Sequence, residues 1–381
     1  MKHVGIICEY NPLHTGHAYL LERVRGAQTV ICLMSGNFTQ RGEAAILPPV
    51  PRAAMAVAAG ADLVLELPFP FAAASARRFA EGGVAALAAL GVDTLAFGSE
   101  SGDIAALQRA AVRTDASPAV RDAALPPEMG DAAAHFSTLG EALSSNDILA
   151  VEYARAARRY PMELLAVRRT GADYREERLT ENHPSATALR AALARGEQIC
   201  DRLPPAARAL FADAAAQWGF ADIARLAPAM LAQLRTKALP EGGIADCGGG
   251  LYAHLTRAAE RATDYGSLLA AAATKRYTDG RLRRALLYLL AGVRTEDFAK
   301  GPAYLRLLAA NARGRAFLAE TRKTRTVGVV TKPADIVALG ANAARQRELA
   351  QVADALYALC FAAQPLPHAL QTAAPYFAKG D

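Results

Sequence analysis

Residues 3–20 read HVGIICEYNPLHTGHAYL, so an apolar run, a turn and two histidines follow one another directly. The apolar run is short and rich in β-branched residues, which predicts a buried strand over residues 3–8. If the helix that follows begins near Gly16, His14 and His17 lie around its first turn and on the same face. Unpaired backbone N–H groups and the helix dipole attract anions at such a strand-to-helix junction.

The rest of the first half repeats this alternation of short apolar runs and helical patterns. Further strands are predicted over residues 29–34, 62–67, 93–97 and 163–168. Helices are predicted over residues 17–25, 51–59, 74–90 and 103–112. Near-continuous apolar strands alternating with helices predict an α/β fold with a Rossmann-like parallel sheet that is covered on both faces. Ligands in such folds bind beyond the carboxyl ends of the strands.

The second half has a different pattern, in which Ala, Leu and Arg recur at helical spacing. Helices are predicted over residues 204–215, 221–236, 249–261, 280–291, 302–319 and 343–363. A chain of 381 residues is long for one compact core, which favours two domains. We place the joint near Arg195-Gly196, so that an α/β domain over residues 1–195 precedes a mostly helical domain over residues 196–381.

Composition restricts the class of protein. Apolar residues make up 52% and charged residues 21% of the chain, which is typical of a folded protein. Gly, Pro or Arg interrupts every apolar stretch before the roughly 20 residues that a membrane span requires, and the first residues do not resemble a signal peptide. Five scattered cysteines without a C-x-x-C pair predict a reduced, cytoplasmic environment and give no zinc or disulfide framework.

Positive charge is concentrated in the second half. Residues 1–195 have a net charge of −2 and residues 196–381 a net charge of +8, which favours a polyanionic partner for the second half. Its densest basic segment also holds a tyrosine and therefore suits phosphate contact together with base stacking. The candidate RNA-binding residues of this segment are Lys275, Arg276, Tyr277, Arg281, Arg283 and Arg284. A solvated helix face is the alternative interpretation.

The histidine pair and a second segment both suit phosphate binding. Two imidazoles near one phosphorus can stabilise the charge that develops as pyrophosphate leaves. An H-x-x-H pair can also bind a metal, but no third ligand follows at a suitable spacing, so we predict no metal site. In the second segment Ser185 is a good helix N-cap, and Thr187 and Arg190 add a hydroxyl and a guanidinium. Glycine-rich phosphate loops are absent from the sequence.

These motifs together resemble the HxGH nucleotidylyltransferase superfamily, and within it the bacterial tRNA(Met) cytidine acetate ligase family. The resemblance runs through most of the chain and rests on VGIICEYNPLHTGHAYL, MSGNFTQRGEAAIL, DLVLELPFPFA, FGSESGDI, SNDILAVEY, ENHPSATALR, TKRYTDGRLRRALLYLL and YLRLLAANARGRAFL. It implies an enzyme that makes acetyl-adenylate from acetate and ATP. The acetyl group then passes to the wobble cytidine of elongator tRNA(Met), which becomes N4-acetylcytidine.

The resemblance also implies roles for individual residues. Catalysis is expected from His14, His17, Ser185, Thr187 and Arg190, with Mg²⁺ accompanying ATP. Nucleotide contacts are expected from Gly98, Asn146, Arg169, Thr170 and the loop Ile7, Cys8, Glu9, Tyr10, Asn11, Pro12, Leu13, His14, Thr15, Gly16, His17, Ala18, Tyr19 and Leu20. No protein partner and no membrane are implied.

The chain departs from the family pattern at two places. Pro48-Pro49-Val50-Pro51 replaces a segment with a lysine and an aromatic residue, and Arg175-Glu176 replaces a histidine and an aspartate. Two other functions therefore stay open at this point. The first domain alone would suit a nucleotidylyltransferase for a small phosphorylated metabolite, and the basic half would suit a non-catalytic RNA-binding protein.

Overall fold

The computed structural model describes residues 2–116, 144–168, 185–238 and 243–378. The strands of these ranges are β1 (His3–Cys8), β2 (Thr29–Ser35), β3 (Leu63–Leu67), β4 (Thr94–Ser99), β5 (Glu163–Arg168), β6 (Tyr304–Ala310), β7 (Gly328–Val330) and β8 (Tyr376–Phe377). The helices of the first half are α1 (Thr15–Arg23), α2 (Pro49–Ala58), α3 (Ala76–Leu90), α4 (Ile104–Ala116), α5 (Ser145–Ala157) and α6 (Ala186–Ala194). Those of the second half are α7 (Pro205–Trp218), α8 (Ala227–Thr236), α9 (Leu251–Ala259), α10 (Tyr265–Ala272), α11 (Asp279–Ala291), α12 (Ala312–Glu320), α13 (Ala341–Leu359) and α14 (Pro367–Gln371).

The strands form one sheet, whose order is β5-β4-β1-β2-β3-β6-β7, with β8 paired to β6. Strands β1 to β5 run parallel to their neighbours, and β6 runs antiparallel to β3. The predicted α/β class is confirmed. Because β2 and β3 lie on one side of β1 while β4 and β5 lie on the other, the strand order reverses at β1 and β4. This reversal opens a crevice at the carboxyl ends of those two strands.

Alternate residues of the central strands enter cores on opposite faces of the sheet. In β1, Ile7 joins the core that α3 and α5 cover, whereas Ile6 and Cys8 join the core beneath α2 and α7. Every residue of β2 is buried. A strand enclosed on both faces must be apolar throughout, which explains why these runs could be read from the sequence.

The prediction of one helix over residues 302–319 is wrong. The segment Tyr304–Ala310 is β6, and α12 begins only after Asn311, whose side chain accepts a hydrogen bond from the backbone of Gly314. A buried apolar run of this length has no periodicity that separates a strand from a buried helix, so pairing with β3 decides its conformation. Strands β6 to β8 thus extend the sheet of the first half, and the division near Arg195-Gly196 stays a prediction.

The helices of the second half pack against loops of the first. Their core includes Phe38 from the β2–α2 connection and Phe69 from the segment after β3. Gly42 has a φ of +74°, and a Cβ atom there would lie 2.8 Å from the backbone nitrogen of Arg284. The β2–α2 connection therefore lies directly against α11. Within the described ranges, no helix combines the length and the apolar surface that crossing a membrane requires.

Candidate nucleotide-binding site

The loop between β1 and α1 lies at the crevice in the sheet. Tyr10 adopts a φ of +48°, which is uncommon for a residue with a side chain, and a cis peptide bond joins Asn11 to Pro12. The Tyr10 hydroxyl lies 3.3 Å from the sulfur of Cys32, and Asn11 Oδ1 accepts a hydrogen bond of 2.8 Å from the backbone nitrogen of Ile46. Contacts with β2 and with the β2–α2 connection therefore fix the loop.

Arg52 is a wholly buried side chain that sequence reasoning missed. Its guanidinium donates to the carbonyl oxygens of Glu9 (2.6 Å), Leu47 (2.9 Å) and Ser35 (3.0 Å), and also to that of Gly36. One side chain therefore ties together the ends of β1 and β2 beneath the candidate site. Burial lowers the pKa of Arg52, although nearby Tyr357 and Glu66 oppose this shift.

His14 and His17 hold each other at the start of α1. His14 is the N-cap, and its Nδ1 accepts a hydrogen bond of 3.1 Å from the backbone nitrogen of Gly16. In return, Nδ1 of His17 accepts one of 3.3 Å from the backbone nitrogen of His14. The two rings stack with their centroids 3.7 Å apart. Since both Nδ1 atoms act as acceptors, each neutral ring carries its proton on Nε2, which makes each ring a hydrogen-bond donor at that atom.

Gly16 leaves room for the histidine cap. A Cβ atom at this position would lie 3.0 Å from Cε1 and 3.1 Å from Nδ1 of His14. The absence of a side chain at Gly16 therefore lets the His14 ring fold back over the helix start. Glycine at this position therefore has a local structural reason, in addition to the predicted close approach of the nucleotide.

The start of α6 presents Arg190 to the same loop. Arg190 donates to the carbonyl oxygen of Asn11 (2.9 Å), to Glu43 Oε2 (3.2 Å) and to Thr187 Oγ1 (3.4 Å). Ser185 caps α6, because its Oγ accepts a hydrogen bond of 3.0 Å from the backbone of Ala188. The two predicted phosphate-binding segments therefore meet at the carbonyl group of Asn11.

Two glutamates also lie here: Glu9, which belongs to the predicted nucleotide loop, and Glu43, which sequence reasoning missed. Glu43 contacts Arg190 through Oε2 and Arg283 of α11 through Oε1, the latter at 2.7 Å. Glu9 accepts a hydrogen bond of 2.7 Å from the backbone of Gln40. Burial raises the pKa of Glu9, while that hydrogen bond and the charge of Arg190 oppose the rise.

The end of β4 forms the other side of the crevice. Gly98 lies in β4, and the loop that follows it is bonded to the start of α5. Asn146 Nδ2 donates to Glu100 Oε1, while Asp147 accepts hydrogen bonds from the backbone nitrogens of Glu100 (3.1 Å) and Ser101 (3.2 Å). Gly98 and Asn146 thus lie in one region, and their contact with a nucleotide stays a prediction. Arg169 and Thr170 lie outside the described residues, as do Arg175 and Glu176.

Most of the predicted RNA-binding segment faces inward. Tyr277 is 5% exposed, and its hydroxyl donates to the carbonyl oxygen of Gly249. Arg281 donates to the Gly248 carbonyl, and Arg284 forms an ion pair of 2.8 Å with Asp246. These internal contacts give no support to the prediction that Tyr277, Arg281 and Arg284 contact RNA, which stays a prediction.

The charges around Asp246, the ion-pair partner of Arg284, lower the pKa of its carboxyl group. Burial by itself raises the pKa of Asp246, but the ion pairs with Arg284 and Arg78 hold it below its usual value.

The other basic residues of the predicted segment are more accessible. Lys275 and Arg276 are exposed, and Arg283 points to Glu43 in the candidate site. The departure at Pro48-Pro51 also has a local explanation, since Pro48 directly precedes α2 and Pro49 occupies its first turn, where proline is favoured.

Comparisons with known proteins agree with this geometry. The profile of the family described as HIGH Nucleotidyl Transferase matches residues 1–371. A tRNA(Met) cytidine acetate ligase of Syntrophotalea carbinolica is 40% identical over 87% of this chain and 85% of its own length. One from Acetivibrio thermocellus is 33% identical over 95% of each chain.

Solved structures give the same result. The crystal structure of apo TmcAL from Thermotoga maritima matches with a TM-score of 0.88 and 28% identity over 99% of both chains. A second crystal form of that protein, bound with alpha-thio ATP, matches with a TM-score of 0.85 and 29% identity over the same shares. The chain belongs to the HIGH nucleotidyl transferase family, and within it to the tRNA(Met) cytidine acetate ligases. It is therefore an enzyme. The similar structure with bound alpha-thio ATP supports nucleotide binding by this family.

Proposed function

We propose that this enzyme activates acetate with ATP as acetyl-adenylate and transfers the acetyl group to N4 of the wobble cytidine of elongator tRNA(Met). The observation that carries the proposal is the mutual capping of His14 and His17, which fixes Nε2 as the donor of both rings, while Arg190 bonds to the Asn11 carbonyl of the same loop. Two oriented donors and a guanidinium suit a leaving polyphosphate. The names of the relatives supply the acyl acceptor.

In the first step an acetate oxygen attacks the α-phosphorus and the bond to the bridging oxygen of pyrophosphate breaks. His17, which is half-buried, and His14 behind it donate hydrogen bonds to the phosphate oxygens on which charge develops. Arg190 neutralises charge on the departing pyrophosphate. Because the protein does little covalent chemistry in this step, positioning of the substrates and stabilisation of the developing charge account for the catalysis.

In the second step the exocyclic amine of cytosine attacks the carbonyl carbon of the mixed anhydride. The bond between that carbon and the phosphate oxygen breaks, AMP leaves, and the amine loses a proton. The reaction needs no nucleophilic side chain, which agrees with the lack of a convincing catalytic triad in the sequence. Gly98 and Asn146 would hold the adenosine on the other side of the crevice.

We place Mg²⁺ with the ATP phosphates and not in a cage of the protein. Among residues 2–116, 144–168, 185–238 and 243–378, no group of three or more His, Cys, Asp or Glu side chains is arranged to hold a metal ion. Glu43, a carboxylate of the site, is already engaged by two arginines. Mg²⁺ commonly keeps several waters and binds through substrate phosphates, so the described residues do not require it as a resident metal.

We propose that tRNA binds to the exposed surface of the basic half, residues 196–381. We also propose that the enzyme acts in the cytoplasm. The net charge of +8 over residues 196–381 supports attraction of a polyanion. Lys275 and Arg276 are the members of the predicted segment whose exposure suits a phosphate contact. They follow α10 and precede α11, and α11 reaches the nucleotide site through Arg283.

Two assays of the purified chain test the proposal. The first measures ATP–pyrophosphate exchange with and without acetate, and the second measures transfer of labelled acetate to elongator tRNA(Met). We expect acetate-dependent exchange and labelled N4-acetylcytidine. Exchange that requires a phosphorylated metabolite in place of acetate would contradict the proposal and favour a metabolite nucleotidylyltransferase. ATP binding without either reaction would also contradict it.

A further inference from the structure

Glu43 connects the nucleotide site with the helical half of the chain. Its two carboxylate oxygens contact different arginines, Arg190 on α6 and Arg283 on α11. The side chains of Glu43, Arg190 and Arg283 are 25%, 20% and 24% exposed, so water screens these ion pairs only in part. The close approach of Gly42 to the backbone of α11 fixes the distance between the two halves at this point.

The charges around this carboxylate have a positive sum. Glu9 and Glu43 contribute two negative charges, while Arg41, Arg52, Arg190 and Arg283 contribute four positive ones. The charges of Arg41, Arg190 and Glu43 act on Glu9, and that of Glu9 acts on Arg52. Asp279 lies 3.8 Å from Arg283, but it is 73% exposed and its charge is largely screened. The net charge of the group is therefore +2, and Arg283 supplies one of its positive charges.

We propose that Arg283 is a positioning residue of the phosphate site, which neutralises Glu43 and so preserves the attraction of Arg190 for the triphosphate of ATP. Without Arg283, the charge of Glu43 would be matched by Arg190 alone, and the net charge of the group would fall from +2 to +1, which weakens the attraction for a polyanionic triphosphate. The inference rests on the proposed placement of the triphosphate beside Arg190. It also gives the basic segment of α11 a role in nucleotide binding.

The charge relation predicts suppression of one substitution by another. Arg283→Met removes one positive charge and keeps the aliphatic part of the side chain, so we expect ATP to bind about tenfold more weakly. Glu43→Gln removes a negative charge and should tighten ATP binding. The double variant E43Q/R283M returns the group to its original net charge, and its ATP affinity should lie within about threefold of that of the unmodified chain. Loss of a merely structural contact would not be restored in this way.

Isothermal titration calorimetry of the full chain with ATP and with AMP provides the measurement. AMP carries fewer negative charges, so R283M should weaken its binding by about threefold or less. Arg257→Met is the matched control, because Arg257 is an exposed arginine of α9 in the same half. Melting temperatures of all variants check that each is folded.

Each outcome decides the inference. ATP affinity of R283M within twofold of the unmodified chain would overturn it. A double variant that binds ATP as weakly as R283M would also overturn it, since Arg283 would then contact the nucleotide directly. Failure of the proposed function can be distinguished from failure of this inference. If acetate-dependent exchange is absent, the ATP titrations can still be measured and interpreted. If Arg190→Met leaves ATP affinity unchanged, the placement of the triphosphate fails, and the inference fails with it.

Discussion

The starts of α1 and α6 solve the same capping problem in different ways. Both caps are buried: His14 is 3% exposed and Ser185 is 1% exposed, and each accepts a backbone hydrogen bond of its helix. At α1 the third helical residue is His17, which returns a hydrogen bond to the backbone of the cap. At α6 the corresponding residue is the buried Ala188, and the polar function moves on to Arg190.

This difference indicates a division of work between the two helix starts. The histidine rings are rigid and are fixed by reciprocal hydrogen bonds and by stacking, so α1 can aim donors at one developing charge. Arg190 is a long cation that is steadied by a carbonyl group, a carboxylate and a hydroxyl. We therefore expect α1 to govern the rate of the chemical step and α6 to govern the binding of the nucleotide.

His17→Ala is expected to have the largest effect. Loss of an oriented donor to a developing negative charge commonly costs about 100-fold to 1000-fold in kcat. We expect a loss in this range for acetate-dependent pyrophosphate exchange, with ATP affinity changed by less than about tenfold. His17→Gln keeps a donor and should recover part of the rate. Arg23→Ala, an exposed change at the other end of α1, is the control. A rate within tenfold of the unmodified enzyme would remove the distinction between the two helix starts.

Arg190→Met should act mainly on binding. We expect KM for ATP to rise about 10-fold to 100-fold and kcat to fall by less than tenfold, since a cation held beside the loop attracts the phosphates before and during the reaction. Arg190→Lys should restore only part of the affinity, because an ammonium group cannot contact the Asn11 carbonyl, Glu43 and Thr187 together. Steady-state kinetics of the exchange reaction measure both parameters. A fall in kcat with unchanged KM would show that the division is wrong.

Local sequence patterns were sufficient to predict strands on both sides of the crevice that holds the candidate site. The predicted strand over residues 163–168 matches β5, and the strand over residues 3–8 matches β1. The run of β1 is enclosed on both faces of the sheet, whereas β5 is an edge strand whose ends are exposed, so its apolar run alone was sufficient to predict it. The junction that holds His14 and His17 follows from the same local signals.

Contacts between distant parts of the chain could not be predicted in this way. Glu43 and Arg283 are 240 positions apart, and nothing near either residue in the sequence indicates the other. Counting charges placed Arg284 on an RNA-binding surface, because its partner Asp246 lies 38 positions earlier. Similarly, only the pairing of β6 with β3 distinguishes that strand from a buried helix.

Ser185→Ala tests whether this hydroxyl does more than cap α6. Loss of a serine N-cap costs about 1 kcal/mol of stability. We expect such a loss by denaturant unfolding, together with a change of less than about threefold in kcat. Asp264→Ala removes the exposed N-cap of α10 and is the matched control for cap loss away from the site. A folded S185A variant with a kcat reduced tenfold or more would mean that the hydroxyl participates in the reaction, as the family resemblance implies.

Thr187→Val should have the smallest effect, and it separates two roles for this residue. The distance of 3.4 Å between Thr187 Oγ1 and Arg190 is long for a hydrogen bond, and Arg190 has two stronger partners in Asn11 and Glu43. Valine keeps the shape of threonine and removes only the hydroxyl, so we expect KM for ATP to rise by no more than about threefold. Thr187→Ser, which keeps the hydroxyl, should behave like the unmodified enzyme. If Thr187→Val instead matches Arg190→Met in KM, the hydroxyl itself contacts the triphosphate, and α6 binds it through two side chains.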